Sequence, residues 1–288
     1  MTGIALGFFD GIHIAHQKVI GNIYSDNSYV VTFDTSPKIF LKNYTNCLLT
    51  TNYEKEEIIR SLFPKIKIEF LIFKNIADLN PEQFIRYLKE LINFDSISVG
   101  YDFRFGKNAQ GDINSLKKLS RDYKFELIVQ SPVKYQKKIV HSTLIRNYLI
   151  NHPTKLEMVN SMLGRPYSIT GLVIEGQKIG RKIGFPTANI LVPHYKVVPY
   201  FGIYKVNVKI LTKEFENRIF DGLLHIGPRP VINNYKISTE VWIRNFDKEI
   251  YYHPIKVELV KFIRKVKNFK NLKSMVKQIE KDIQIAFV

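Results

Sequence analysis

The chain has 288 residues, 45% of them hydrophobic and 24% charged, enough to bury a sizeable core and to form two domains. A single cysteine, Cys47, excludes an intramolecular disulfide framework and fits a reducing, cytoplasmic setting; no leader-like start and no long apolar stretch suggests secretion or a membrane. The net charge of +17, from 43 Lys and Arg against 26 Asp and Glu, suits anionic ligands. The lysines are spread throughout, without a recognition-helix or aromatic-rich RNA-binding pattern, so no nucleic-acid partner is expected.

The first element is a short buried strand, Ile4-Ala5-Leu6, followed by a turn bracketed by Gly7 and Gly11 and a helix running from Ile14 through Val19 and Ile20. The run Gly7 to His16 reads Gly-Phe-Phe-Asp-Gly-Ile-His-Ile-Ala-His. Histidines three apart at a helix start share a face where unpaired N–H groups already favour anions, which suits a departing pyrophosphate in nucleotidyl transfer. Taken alone, the pair also fits two capping or solvent-facing histidines. Metal binding there is not expected, because the other histidines are scattered.

Strand and helix signals then alternate. Tyr29 to Phe33 reads as a strand, Thr51 to Glu54 as a capping box opening a helix through Leu62, and Ile68, Phe70 and Ile72 as an alternating strand. Asn80, Pro81 and Gln83 start a helix whose buried face is expected to hold Phe84, Leu88, Leu91 and Ile92. Ser96 to Val99 and Phe125 to Val129 complete an open, mostly parallel sheet, whose ligands bind beyond the carboxyl ends of its strands. That rule makes Asp102 and Arg104, in Gly100 to Gly106, site candidates beside His13 and His16, although the loop also reads as a turn packed on Phe103 and Phe105. Ser142, Thr143 and Arg146 form a compact donor set at another helix start, or an ordinary N-cap with an exposed arginine.

Near Leu163 to Pro166 helical sequence gives way to alternating strands, and the domains are expected to span residues 1–158 and 159–288. Ser168 to Ile174, Ile203 to Ile210, Leu223 to Ile226, Thr239 to Ile243 and Ile255 to Phe262 suggest a small antiparallel barrel. A terminal helix closes it, with Leu272, Met275, Val276, Ile279 and Ile283 on one face. Between the first two of these strands, Gly176, Gly180, Arg181, Lys182 and Gly184 read as a phosphate-wrapping loop or as a flexible loop with solvated charges.

In combination these segments resemble the bacterial bifunctional riboflavin kinase and FMN adenylyltransferase family, the FAD synthetases. Gly7 to His16 is similar to Gly-x-Phe-Asp-Gly-x-His-x-Gly-His, Leu49-Thr50 with Glu54-Lys55 to Leu-Thr-x-x-x-Glu-Lys, and Gly100 to Gly106 to Gly-x-Asp-Phe-Arg-Phe-Gly. Ser142 to Arg146 is similar to Ser-Thr-x-Ile-Arg, Pro186 to Asn189 to Pro-Thr-Ala-Asn, and Ile226 to Pro230 to Ile-Gly-x-Arg-Pro.

The resemblance implies a Rossmann-like nucleotidylyltransferase domain and a riboflavin kinase-like barrel, with riboflavin, FMN, FAD and ATP as substrates and products. It implies ATP and phosphate contacts at Gly7, Phe9, Asp10, Gly11, Asp102, Arg104, Ser142, Thr143 and Arg146, and in the barrel at Gly176, Gly180, Arg181, Lys182 and Pro186. His13 and His16 are implied as catalytic in the first domain and Glu240 in the second. Thr187 and Asn189 are implied as holders of Mg²⁺, and Arg229 and Arg264 as flavin contacts. Departures from the family pattern are Ala15, Ser36, His141, His225, Val231 and Tyr252. They leave Thr187, Asn189 and Glu240 intact, so phosphorylation of riboflavin to FMN and adenylylation of FMN to FAD are both expected; the alternatives are an adenylyltransferase with a weak or inactive kinase barrel, and a non-catalytic basic nucleic-acid-binding or regulatory protein.

Overall fold

The apolar run near the start is wholly buried as β1 (Gly3–Leu6), since a parallel strand covered on both faces needs no polar alternation. A computed structural model of the chain describes residues 1–36, 39–40, 47–176, 178–228 and 237–288. They divide into two compact units, residues 1–144 and 145–288. The division falls just inside the helix that opens at Ser142, earlier in the chain than the expected 158/159 boundary.

In the first unit β1 pairs in parallel with β2 (Tyr29–Phe33) on one side and β4 (Ser96–Gly100) on the other. The outer strands are β3 (Lys67–Leu71) and β5 (Glu126–Gln130), giving the order β3-β2-β1-β4-β5. Helices α1 (Ile14–Gly21) and α2 (Asn52–Leu62) cover one face, where Ala5 and Val30 meet Val19, Ile20, Ile58 and Ile59. A short helix, α3 (Phe73–Ile76), precedes α4 (Pro81–Leu91) and α5 (Ile113–Asp122). The last two cover the other face, where Ile4, Leu6, Ile97 and Val99 meet Phe84, Leu88 and Leu116. Such wholly buried side chains each contribute about 1.5–3 kcal/mol by leaving water.

The expected helix starts are present, with capping boxes at Thr51/Glu54 and Asn80/Gln83. Two details differ. Ile72 is not in the strand: it precedes α3 and is exposed, because the chain turns at Leu71 to enter that helix. Leu91 is exposed while Ile85 is buried: the inward stripe is centred on Phe84, Ile85 and Leu88 and continues to Ile92, and Leu91, the last helical residue, lies at its edge.

A small hairpin, β6 (Lys134–Tyr135) with β7 (Lys138–Ile139), leads to α6 (Ser142–Asn151) and α7 (Leu156–Leu163). The second unit is built on a closed antiparallel barrel. Its strands are β8 (Tyr167–Ile174), β9 (Thr187–Leu191), β10 (Gly202–Ile210), β11 (Phe220–Pro228), β12 (Ile237–Ile243) and β13 (Pro254–Lys265), in the order β10-β11-β12-β9-β8-β13. Strand β9 was not expected: a glycine-rich stretch and Pro186 read as loop, yet the five residues after the proline pair with β8 and β12 and close the barrel.

A one-turn helix, α8 (Ile179–Lys182), lies in the glycine loop, and α9 (Leu272–Phe287) ends the chain. On α9 the expected apolar face is only partly covered. Leu272 is exposed, whereas Asp282 and Ala286 are the buried residues.

Candidate active sites

The strand order reverses direction between β1 and β4, so the loops that leave their carboxyl ends emerge side by side, the usual ligand crevice of an open parallel sheet. The first of these loops has an unusual backbone. Phe9, Gly11 and Ile12 have φ of 53°, 87° and 40°, a left-handed region that only glycine enters without strain. Such conformations turn successive amides toward one concavity and persist only where the surroundings enforce them.

The enforcing contacts are explicit. Asp10 is 5% exposed and its Oδ1 accepts the Leu49 and Thr50 amides at 2.8 and 3.2 Å. The Gly11 amide donates to Thr50 Oγ1 at 3.0 Å, and Ser142 donates to the Asp10 carbonyl at 2.8 Å. Asp10 therefore anchors the turn to its neighbours. Phe9 is buried, and its ring packs where a side chain at Gly7 would come within 3.1 Å of it.

His13 is not itself helical. It has extended φ and ψ and caps α1, its Nδ1 accepting the His16 amide at 3.4 Å, because the first helical amides need an acceptor that the preceding residue can supply. The two imidazoles nevertheless come together, stacked at 3.5 Å between centroids, with Phe9 edge-on to His16 at 5.3 Å. A neutral His13 whose Nδ1 accepts carries its proton on Nε2, away from the cap. Ala15 lies within α1, where a methyl group favours helix over glycine by about 1 kcal/mol.

The second loop brings Asp102 and Arg104 to this edge as exposed side chains, with Arg104 Nη1 3.8 Å from Asp112 Oδ2. Beneath them Phe103 stacks on buried Phe105 at 5.6 Å. At the start of α6, Ser142 is tied to the turn as above and Thr143 is exposed; His141 Nδ1 accepts the Leu144 amide at 3.2 Å, a capping role its imidazole shares with His13. Arg146 is half-buried and falls in the second unit.

In the second unit a cavity of about 190 Å³ lies against the barrel wall, under α9 and the glycine loop. Strand alternation builds it. Leu224 and Val241 are fully buried in the barrel core, which turns Leu223, His225, Glu240 and Trp242 to the cavity. The register places Asn189 opposite Glu240 and Thr187 opposite Trp242, so both β9 side chains share this face. Thr187 Oγ1 donates to Glu240 Oε2 at 3.2 Å.

The loop closes over these groups at its glycines. A side chain at Gly176 would overlap the Asn189 amide, and one at Gly180 the Phe185 carbonyl. Arg181 lines the cavity and pairs with Glu249 at 2.5 Å, which holds that carboxyl below its usual range, and its guanidinium lies 5.9 Å from the Tyr251 ring. Lys182 and Pro186 are exposed and do not line the cavity. Hydroxyl and amide oxygens from Thr187 and Asn189, beside a carboxylate, are the hard donors that Mg²⁺ takes while keeping several waters.

Arg264 lines the cavity but is occupied by Asp282 of α9, with bonds of 2.8, 3.0 and 2.7 Å to its two oxygens. Asp282 is 2% exposed and also accepts from Gln278 at 2.9 Å. Met275 and Ile279 complete that wall, so the helix's apolar face covers a cavity rather than the barrel core. Sequence reasoning missed Asp282, although an acid in register with Met275 and Ile279 on an apolar stripe signals a buried partner. Arg229 and Val231 lie outside the described residues. Tyr252 has φ of 62°, the reason a glycine suits that position.

A phosphate-type turn at a sheet crevice and a hydroxyl, amide and carboxylate cluster beside a cavity define a two-module nucleotide-dependent transferase. The comparisons identify it further: residues 1–144 match the family model described as FAD synthetase and residues 163–287 the one described as riboflavin kinase. The chain belongs to the bifunctional riboflavin kinase/FMN adenylyltransferase family. It is 36% identical to the Buchnera aphidicola subsp. Schizaphis graminum member, over 99% of this chain and 92% of that one. It is 33% identical to the Bacillus subtilis member, over 98% and 90%.

A crystal structure described as a macrolide-efflux protein from Streptococcus pneumoniae matches 99% of this chain and 93% of its own, with a TM-score of 0.82 and 25% identity. That likeness concerns the fold: among the described residues no helix is long and apolar enough to cross a membrane. The chain is a transferase with riboflavin kinase and FMN adenylyltransferase modules, and ATP is its co-substrate.

Proposed function

We propose that residues 159–288 phosphorylate riboflavin and residues 1–158 adenylylate the FMN so formed, in the cytoplasm and without a nucleic-acid or membrane partner. In the barrel, Glu240 accepts the proton of the riboflavin 5′-hydroxyl as its oxygen bonds to the γ-phosphorus of ATP and the bond to the β-phosphate oxygen breaks, releasing ADP. Thr187 and Asn189 hold Mg²⁺, which neutralises charge on the phosphates. Gly176, Gly180 and Arg181 wrap the phosphate chain, Lys182 adds positive charge from outside the cavity, Pro186 sets the entry to β9, and Arg229 and Arg264 set the flavin. The observation that carries this reading is the register of β9 on β12, with Thr187 Oγ1 3.2 Å from Glu240 Oε2 at the cavity.

In the first module an FMN phosphate oxygen attacks the α-phosphorus of ATP and pyrophosphate leaves. The left-handed turn from Gly7 to Gly11, His13 and His16 bind the phosphates and stabilise the charge growing on pyrophosphate, with Ser142, Thr143, Asp102 and Arg104 at the rim; no protein nucleophile is needed. Incubation of the full chain with riboflavin, Mg²⁺ and ATP, with flavins separated over time, tests both steps. FMN appearing and then converting to FAD is expected. FAD made only from supplied FMN would remove the kinase, and turnover of neither flavin would leave a binding role.

A further inference from the structure

The first unit buries a charge that takes no direct part in the adenylyl step. Lys55, on the second turn of α2, is 1% exposed. A lysine is almost never taken wholly out of water unless its ammonium is compensated, since desolvation alone costs several kcal/mol. Its surroundings are specific. Nζ lies 3.1 Å from Thr32 Oγ1 on β2, 4.3 Å from the centre of the Phe8 ring at the head of the turn and 5.8 Å from the Phe70 ring on β3.

Thr32, itself fully buried, donates its hydroxyl to the Phe8 carbonyl at 3.1 Å. Its oxygen is thus filled on both sides, by an ammonium that donates to it and a carbonyl that accepts from it. The facing charge from the packed elements is the Asp10 carboxylate, which raises the amine's proton affinity; β2 and β3 offer a hydroxyl and an aromatic ring, and Glu54 beside it on α2 accepts from the Thr51 amide at the helix cap. Lys55 and Thr32 therefore bear on the Phe8 ring and carbonyl, and Asp10 ties the turn to the Leu49 and Thr50 amides, beside the left-handed Phe9 and Ile12.

We propose that Lys55 is a positioning residue for adenylyl transfer: its buried ammonium, acting through Thr32 and Asp10, holds the strained turn from Phe8 to Ile12 in the conformation that receives the triphosphate. Without the proton on Lys55, Asp10 loses its opposite charge and the turn loses a restraint against strain. Burial pushes the Lys55 amine down to about 8, with Asp10 pulling the other way, so the restraint is present at neutral pH and lost in mild alkali. The inference rests on reading this unit as the adenylyltransferase.

The test compares the full chain with Lys55→Met, following FAD formation from FMN and ATP across neutral to alkaline pH, with FMN formation from riboflavin in the same sample as reference. The parent is expected to lose FAD formation as pH rises through about 8, while FMN formation keeps a different profile. Lys55→Met is expected to be slower at neutral pH by roughly tenfold to a hundredfold, the scale set by small misplacements in an active site, and to lack that alkaline limb. It should also melt no lower than the parent, since the methionine removes a buried charge. Thr32→Val serves as a second variant: it withdraws the hydroxyl from the ammonium and should move the limb to lower pH. An alkaline limb unchanged in both variants, with FAD formation intact, overturns the role of Lys55; a parent that makes no FAD from FMN overturns the reading of the unit instead.

Discussion

The two modules reach phosphate chemistry by different constructions. In the parallel-sheet unit the site is mainly backbone: a turn with three left-handed residues, capped by His13 and held by Thr32, Thr50, Lys55 and Asp10. In the barrel it is side chains on adjacent strands, aligned by register, under a loop and a helix. A backbone site stores strain and depends on buried polar groups that are not in contact with the ligand. A side-chain site depends on the residues that face the cavity and on what closes it. The two should therefore fail differently when substituted.

The largest effect belongs to the barrel. Glu240→Gln keeps the size of the side chain and its place opposite Asn189 but cannot take the hydroxyl proton. FMN formation should fall by about 10²–10⁴-fold, the usual contribution of a positioned general base. FAD formation from supplied FMN should not change, and a parallel loss of both would mean that the two sites do not work as separate units. His16→Ala is the mirror experiment: FAD formation should fall by roughly 10²–10³-fold, as when one preorganised donor is removed, while FMN formation is spared.

Next in size is the wall of the cavity. Asp282→Asn leaves Arg264 without its bidentate carboxylate in a nearly dry position, and breaking such a pair costs about 3–5 kcal/mol. Chemical denaturation of the full chain should show a weaker second unit and an unaltered first one. If flavin affinity falls while the midpoint stays put, Arg264 reads the flavin directly and Asp282 merely aims it.

How much of this was legible in the sequence follows the same division. The turn and its two histidines are contiguous, and the caps at Thr51 and Asn80 are local, so both were readable from spacing. That His13 caps the helix was only one of the readings open for the pair, since an imidazole is an uncommon cap. In the barrel, the pairing of Thr187 with Glu240 joins residues 53 apart, and Arg264 with Asp282 joins a strand to a helix. Register of that kind is set by closure of the whole barrel and leaves no local mark, which is also why β9 was read as loop. Lys55 was visible only as one letter of a motif; its burial depends on β2 and β3 closing over α2.

Lys55 also predicts a pH dependence of stability. In the native chain its amine titrates at about 8 and in the unfolded chain near the ordinary lysine value of 10.5, so between those limits the unfolded state holds more protons. Stability should rise with pH across that window, by up to about 3 kcal/mol from this group, and be lost again as pH falls through the native value. The difference between parent and Lys55→Met in denaturation midpoint, measured at both ends of the window, isolates it from the other lysines and tyrosines.

The smallest effect sharpens the comparison most. Thr51 caps α2 through its bond to the Glu54 amide at 3.2 Å, with Glu54 returning to the Thr51 amide at 2.9 Å. Thr51→Ala should cost about 1 kcal/mol of stability, as loss of an N-cap does, and loosen the first turn of the helix that carries Lys55. Because Lys55 is itself buried and bonded to Thr32, its ammonium should stay in place, and FAD formation should hold close to the parent rate with the same alkaline limb. A loss as large as that of Lys55→Met would mean that the placement of α2, rather than the charge it delivers, governs the turn.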